Sequence, residues 1–174
     1  CKMNCIQKLG MEIEHIIVHK DTREAVTYYE DHGIGWMLEQ IRHHYPHSYY
    51  EQDNLLGLSN ADYSISLEPA SQFEISIAPR EDIRTIMKIY QSFLQIINPI
   101  LHREGYELLN IGYQPKSKVN DLPLIPKKRY RFMDEYFKTS GTRGRNMMRG
   151  TAATQISIDY CSEEDFVRKY RTAY

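Results

Sequence analysis

Residues 64–79, SISLEPASQFEISIAP, constrain the fold more than any other stretch of the chain. They read as two short strands around a kink at Pro69-Ala70-Ser71, with alternate positions mostly apolar or hydroxylic. Glu68 and Glu74 stand inside this stretch, where a buried sheet would carry a residue such as valine. They are six positions apart, an even number, but the proline kink leaves their face parity open. A second pair occurs in GMEIEH, where Glu12 and Glu14 on a strand share one face, about 6.5–7 Å apart along the chain. Carboxylates so placed repel unless a cation or a basic side chain lies between them. Four glutamates on strands, in two pairs, suggest hard oxygen ligands for Mg2+ or Mn2+. The alternative is a solvated sheet face.

The surrounding pattern is mixed helix and strand. LGMEIEHIIVHK (9–20) and YELLNIGYQP read as strands, and 49–79 as a series of short strands broken by Asp53-Asn54 and Asn60-Ala61-Asp62. Residues 35–45 form a short helix with Met37, Leu38, Ile41 and Tyr45 on one face, ended by Pro46. Residues 80–105 form the clearest helix, with Ile83, Ile86, Met87, Tyr90, Phe93, Leu94 and Ile97 at the 3.6 period and Gly105 as its cap. Pro99 is expected to kink it or split off its last turn. After a proline-punctuated loop, RYRFMDEYFKTSG reads as a short helix and NMMRGTAATQISIDY ends in a strand. Ser162-x-x-Asp165 opens a last helix, whose uncapped end suggests a chain that continues.

Charge is unevenly spread. Residues 1–115 hold 9 Lys/Arg against 16 Asp/Glu, whereas 116–149 hold 10 Lys/Arg against 3 Asp/Glu. Such a division suits a site that holds cations and anions together, or simple attraction between two parts of one surface. Lys127, Lys128, Arg129, Arg143, Arg145 and Arg149 are candidates to cradle phosphates or a carboxylate. No apolar run is long enough to span a bilayer, and no nucleic-acid-binding signature is present, so neither partner is expected. The start lacks an apolar signal region, and Cys1, Cys5 and Cys161 form neither a disulfide framework nor a zinc knuckle. A reduced, cytoplasmic setting is therefore expected. His15 faces away from the glutamate pair and is expected to be packed or hydrogen-bonded; His43 and His47 are separated by Pro46 and make a poor metal pair.

Several motifs together resemble the plant-type and proteobacterial glutamate–cysteine ligase family: GMEIEH, DNLLGL, SISLEPASQFEISIAP, LLNIGYQP, PKKRYRFMDEYF, NMMRGTAATQISIDY and SEEDFVRKYR, in family order. The family's usual EPGGQFE reads EPASQFE here, and Ser157 stands where asparagine is common in the last strand. The resemblance implies an α+β fold: an antiparallel sheet with flanking helices, part of a glutamine-synthetase-like catalytic domain. Residues 1–174 would be one domain, the N-terminal portion of that catalytic domain.

The activity so implied is ATP-dependent joining of the γ-carboxylate of L-glutamate to the amine of L-cysteine through γ-glutamyl phosphate, the first step of glutathione biosynthesis. Carried over residue by residue, Glu12 and Glu14 match the first acidic motif, Glu68 and Glu74 the second, and Gln155 the metal- or substrate-facing position of the last strand. Arg129 is the candidate for a substrate or phosphate contact; no residue is singled out as a catalytic acid or base. Family members run to well over twice this length, so the chain alone is expected to have little or no ligase activity. A half-built sheet is also expected to favour self-association. Two other readings are a carboxylate–amine ligase with another acceptor and a non-catalytic glutamate-binding or assembly module.

Overall fold

The computed structural model describes residues 6–174. Cys1 and Cys5 lie outside the described residues. Cys161 is disulfide-bonded, which the irregular cysteine spacing did not signal.

The strands are β1 (Leu9–His19), β2 (His47–Glu51), β3 (Asn54–Ser59), β4 (Tyr63–Leu67), β5 (Phe73–Arg80), β6 (Tyr106–Leu109) and β7 (Thr154–Ile158). The helices are α1 (Ile34–Ile41), α2 (Ile83–Glu104), α3 (Lys128–Thr139), α4 (Gly144–Gly150) and α5 (Glu163–Ala173). All strand pairs are antiparallel, in the order β2-β3-β4-β5-β1-β6. β1 is the seam of this sheet. One edge pairs with β5; the other pairs with β7 along Leu9–Ile13 and with β6 along Ile16–His19. The α+β class with an antiparallel sheet is as expected.

One sheet face is apolar because alternate residues of each strand are. Ile17, Ile65, Leu67, Phe73 and Ile75 are buried there beneath α1 and α2. Met37, Leu38 and Ile41 seat α1, and the extended Tyr45 that follows a single 3-10 turn is also buried. Asp82 caps α2 by accepting from the Thr85 N–H, and Gly105 closes it at φ 71°, a left-handed cap that glycine adopts without Cβ strain. Pro99 neither ends nor splits this helix. It lies on the exposed side with Gln95, whose carbonyl loses its helical donor but can meet water. Ile83 and Met87 stay 50% and 44% exposed, because the buried stripe runs on instead through Ile100 and Leu101.

His15 anchors the strands to this core. Its Nδ1–H donates to the Phe73 carbonyl at 2.9 Å, and its Nε2 accepts from the Tyr90 hydroxyl at 2.7 Å. It is fully buried on the face opposite Glu14, as its odd position required, and desolvation lowers its pKa. The seven-residue α4 was not legible as a helix, since Gly144 and Gly150 bound it and no apolar period fits so short a stretch. α5 buries none of its residues; Phe166, Val167 and Tyr170 form an exposed face.

Candidate active site

The second sheet face is polar. Its central row runs Ser66–Glu74–Glu14 across β4, β5 and β1, with Glu14 and Glu74 direct register partners. The neighbouring row runs Ser64–Ser76–Glu12–Gln155. A further step along β4 leads to Glu68, whose backbone N–H donates to the Gln72 carbonyl at the hairpin turn. The hairpin therefore continues the alternation through the proline kink, and all five expected residues belong to one face. At its far end Ile16 and Val18 turn apolar and are closed over by Ala152 and Leu109.

Each of three carboxylates is seated by neutral donors. Glu74 Oε1 accepts from Ser66 Oγ at 2.8 Å and Ser76 Oγ at 2.9 Å. Glu14 Oε2 accepts from the Ala153 N–H at 2.8 Å, and Glu68 Oε1 from the Tyr130 hydroxyl at 3.1 Å. None of the ion pairs among the described residues involves Glu12, Glu14, Glu68 or Glu74. Like charges opposite one another on a sheet are destabilising. Partial burial raises the pKa of Glu14, with Glu74 and Glu12 adding repulsion. Burial followed by the charge of Glu74 does the same to Glu68.

No three His, Cys, Asp or Glu side chains among the described residues converge on one ion position. The face offers paired carboxylates, with Gln155 beside Glu12. That donor set fits a hard divalent ion held by one or two carboxylates with phosphate and water oxygens completing its shell, which is how Mg2+ is commonly bound. It does not fit a closed, all-protein metal cage.

The basic segment divides in two. Asp134 is buried and bound by both Arg145 (2.6 Å) and Arg149 (2.5 Å), whose charges outweigh desolvation and hold its carboxyl below the usual range. Arg149 also donates to the Leu122 carbonyl. These two arginines join α3 to α4 and are not available to cradle an anion, contrary to the sequence reading. Lys127 and Arg129, at the start of α3, lie instead beside Glu68. Glu51 of β2 caps that helix by accepting from the Lys128 N–H at 2.7 Å.

The sequence reading missed Gln72 and Tyr130. Gln72 accepts from the Ala70 N–H and donates to the Met148 and Thr151 carbonyls, fixing the α4–β7 junction against the hairpin. Tyr130 reaches Glu68 across 62 positions of sequence, a contact no local pattern announces. The serines seating Glu74 did carry a signal, since Ser66 and Ser76 share the glutamates' period of two.

The sequence matches the model of glutamate-cysteine ligase family 2 over residues 8–174. It is 34% identical over 173 residues to glutamate–cysteine ligase A, chloroplastic, of Oryza sativa subsp. japonica, covering 99% of this chain and 35% of that protein. It is 34% identical over 172 residues to the chloroplastic glutamate–cysteine ligase of Arabidopsis thaliana, covering 98% of this chain and 32% of that protein. The Medicago truncatula relative of the same name is 40% identical over 121 residues. The chain thus spans about a third of the length of the first two relatives. Their chloroplastic names lend no support to a cytoplasmic setting; no helix among the described residues is long and apolar enough to cross a membrane. The chain belongs to glutamate-cysteine ligase family 2.

Proposed function

We propose that residues 1–174 supply the carboxylate-bearing, N-terminal portion of the catalytic domain of an ATP-dependent glutamate–cysteine ligase. In that reaction the γ-carboxylate of L-glutamate attacks the terminal phosphorus of ATP and the bond to ADP breaks. The amine of L-cysteine then attacks the acyl carbonyl of γ-glutamyl phosphate, and the carbon–oxygen bond to phosphate breaks. The product, γ-glutamylcysteine, is the first intermediate of glutathione biosynthesis.

The observation that carries this reading is Glu14 facing Glu74 with no lysine or arginine among the described residues paired to either, in a chain of this family. Glu12, Glu14, Glu68, Glu74 and Gln155 would hold Mg2+ or Mn2+, with one or two carboxylates to each ion. Such an ion offsets the repulsion between the nucleotide phosphates and the substrate carboxylate. The serines and the Ala153 N–H turn one oxygen of Glu74 and of Glu14 away from that task and fix each carboxylate's orientation. Arg129 would contact phosphoryl or carboxylate oxygens, using its planar fork.

Calorimetry with a non-hydrolysable ATP analogue tests the reading. We expect Mg2+-dependent binding that is lost when Glu14→Gln and Glu74→Gln are combined; binding indifferent to both Mg2+ and that pair of changes would overturn it. Since the chain spans about a third of its relatives, we also expect little γ-glutamylcysteine from it alone with ATP, glutamate and cysteine. Turnover at a rate typical of enzymes, about 1–1000 per second, would refute that part.

A further inference from the structure

We propose that Lys127 and Arg129 form an oxyanion clamp held open by the Tyr130 hydroxyl. Tyr130 is fully buried at the start of α3. Its hydroxyl lies 3.1 Å from Glu68 Oε1 and 3.3 Å from the Leu67 carbonyl, and it accepts from Arg129 Nη2 at 3.0 Å and Lys127 Nζ at 3.4 Å. A phenol has one proton to give and two lone pairs to receive with. The two cations occupy the lone pairs, so the proton is directed at Glu68 and Leu67.

Both charged groups also rest against the same ring, each 4.9 Å from its centroid. Each cation is thereby moored to a neutral side chain rather than to a carboxylate, and neither enters an ion pair among the described residues. Glu68 and Glu74 act on both cations electrostatically without contact. The ammonium and the guanidinium retain further N–H donors, which suits an anion with at least two oxygens, a phosphoryl or a carboxylate group. Without the hydroxyl, Glu68 loses a donor and both cations lose an acceptor. Glu68 already attracts both cations, so the expected collapse is an ion pair on Glu68 that shuts the clamp. Tyr130 is thus a positioning residue. Only the identity of the natural oxyanion rests on the ligase reading; the clamp itself does not.

Titration of the chain with inorganic tripolyphosphate in EDTA, followed by calorimetry, tests this without any metal or turnover. The wild type binds, Lys127→Met and Arg129→Met each weaken binding about tenfold, as loss of a charge-assisted hydrogen bond does, and Lys127→Arg retains it. Tyr130→Phe weakens it comparably, and adding Glu68→Gln to Tyr130→Phe restores it, because a neutral side chain no longer captures the cations. A purely structural role for Tyr130 gives no such rescue. Parallel titration with glutarate separates a carboxylate clamp from a phosphoryl one. Absence of tripolyphosphate and glutarate binding, indifference to both cation substitutions, or failure of the double variant to recover overturns the proposal. Should Tyr130→Phe not fold, the two cation substitutions still decide it. Failure of the ligase reading would leave the tripolyphosphate result unchanged.

Discussion

Ser71 holds a backbone conformation that its side chain disfavours. It sits in the left-handed region at φ 74°, in the turn where the family's motif carries glycine, and its buried hydroxyl has no hydrogen-bond partner among the described residues. Left-handed backbone costs an L-residue roughly 1–2 kcal/mol and an unmet buried hydroxyl about as much, against roughly 0.5–1 kcal/mol for the extra freedom glycine brings to the unfolded chain. Ser71→Gly should therefore raise stability by about 2 kcal/mol, read as a higher urea midpoint at unchanged slope. The Glu14–Glu74 pair runs the same way. Glu74→Gln keeps the shape and can still accept from Ser66 and Ser76, yet removes the repulsion; it should stabilise the metal-free chain by about 0.5 kcal/mol while weakening divalent-cation binding. A loss of stability instead would mean that the pair is not under electrostatic strain. The parity of Glu12 and Glu14 was legible because no turn interrupts β1. That of Glu68 was not, because it depends on how the Pro69 turn closes.

At the scale of elements, α3 and α4 depend on one ionic junction. Arg149→Met would leave Asp134 with Arg145 alone and the Leu122 carbonyl without its donor, at a cost of about 3 kcal/mol by urea denaturation. α5 buries none of its residues and is tied to Gln7 and Asp159 by polar contacts through Asp165 and Lys169. Asp165 accepts from Lys169, the Cys161 N–H and Arg168, and the Lys169 contact leads in pulling its pKa down to about 2. A depressed carboxyl contributes stability that is present above its unfolded pKa, near 3.8, and is lost as pH falls through about 2. Amide exchange in α5 should accelerate across that window ahead of exchange in α2; equal protection of the two helices down to pH 2 would contradict it. Amphipathic pattern predicted α2 well because a sheet covers its stripe. The same pattern misleads at α5, where Phe166, Val167 and Tyr170 stay exposed and the helix buries none of its residues.

Across the whole molecule, the apolar face that α2 and α1 cover stops short of β7. Ile156 and Ile158 are 58% and 52% exposed, and the stacked rings of Phe166, Tyr170 and Tyr174 along and just past α5 are exposed as well. An edge strand with bare isoleucines is a pairing template, so the chain should associate as its concentration rises, with Ile156→Lys suppressing that in sedimentation velocity. Unchanged association in that variant would place the contact elsewhere. The sheet's class was legible from strand period and resemblance; the seam at β1 was not, because it joins residues from opposite ends of the sequence. That seam governs biogenesis. Glu12 stands opposite Gln155, so β1 must wait, with that edge half-paired, until β7 far along the chain has been translated. Slow, aggregation-exposed folding during synthesis is the consequence of anchoring the carboxylate rows on a strand whose partner is made so much later.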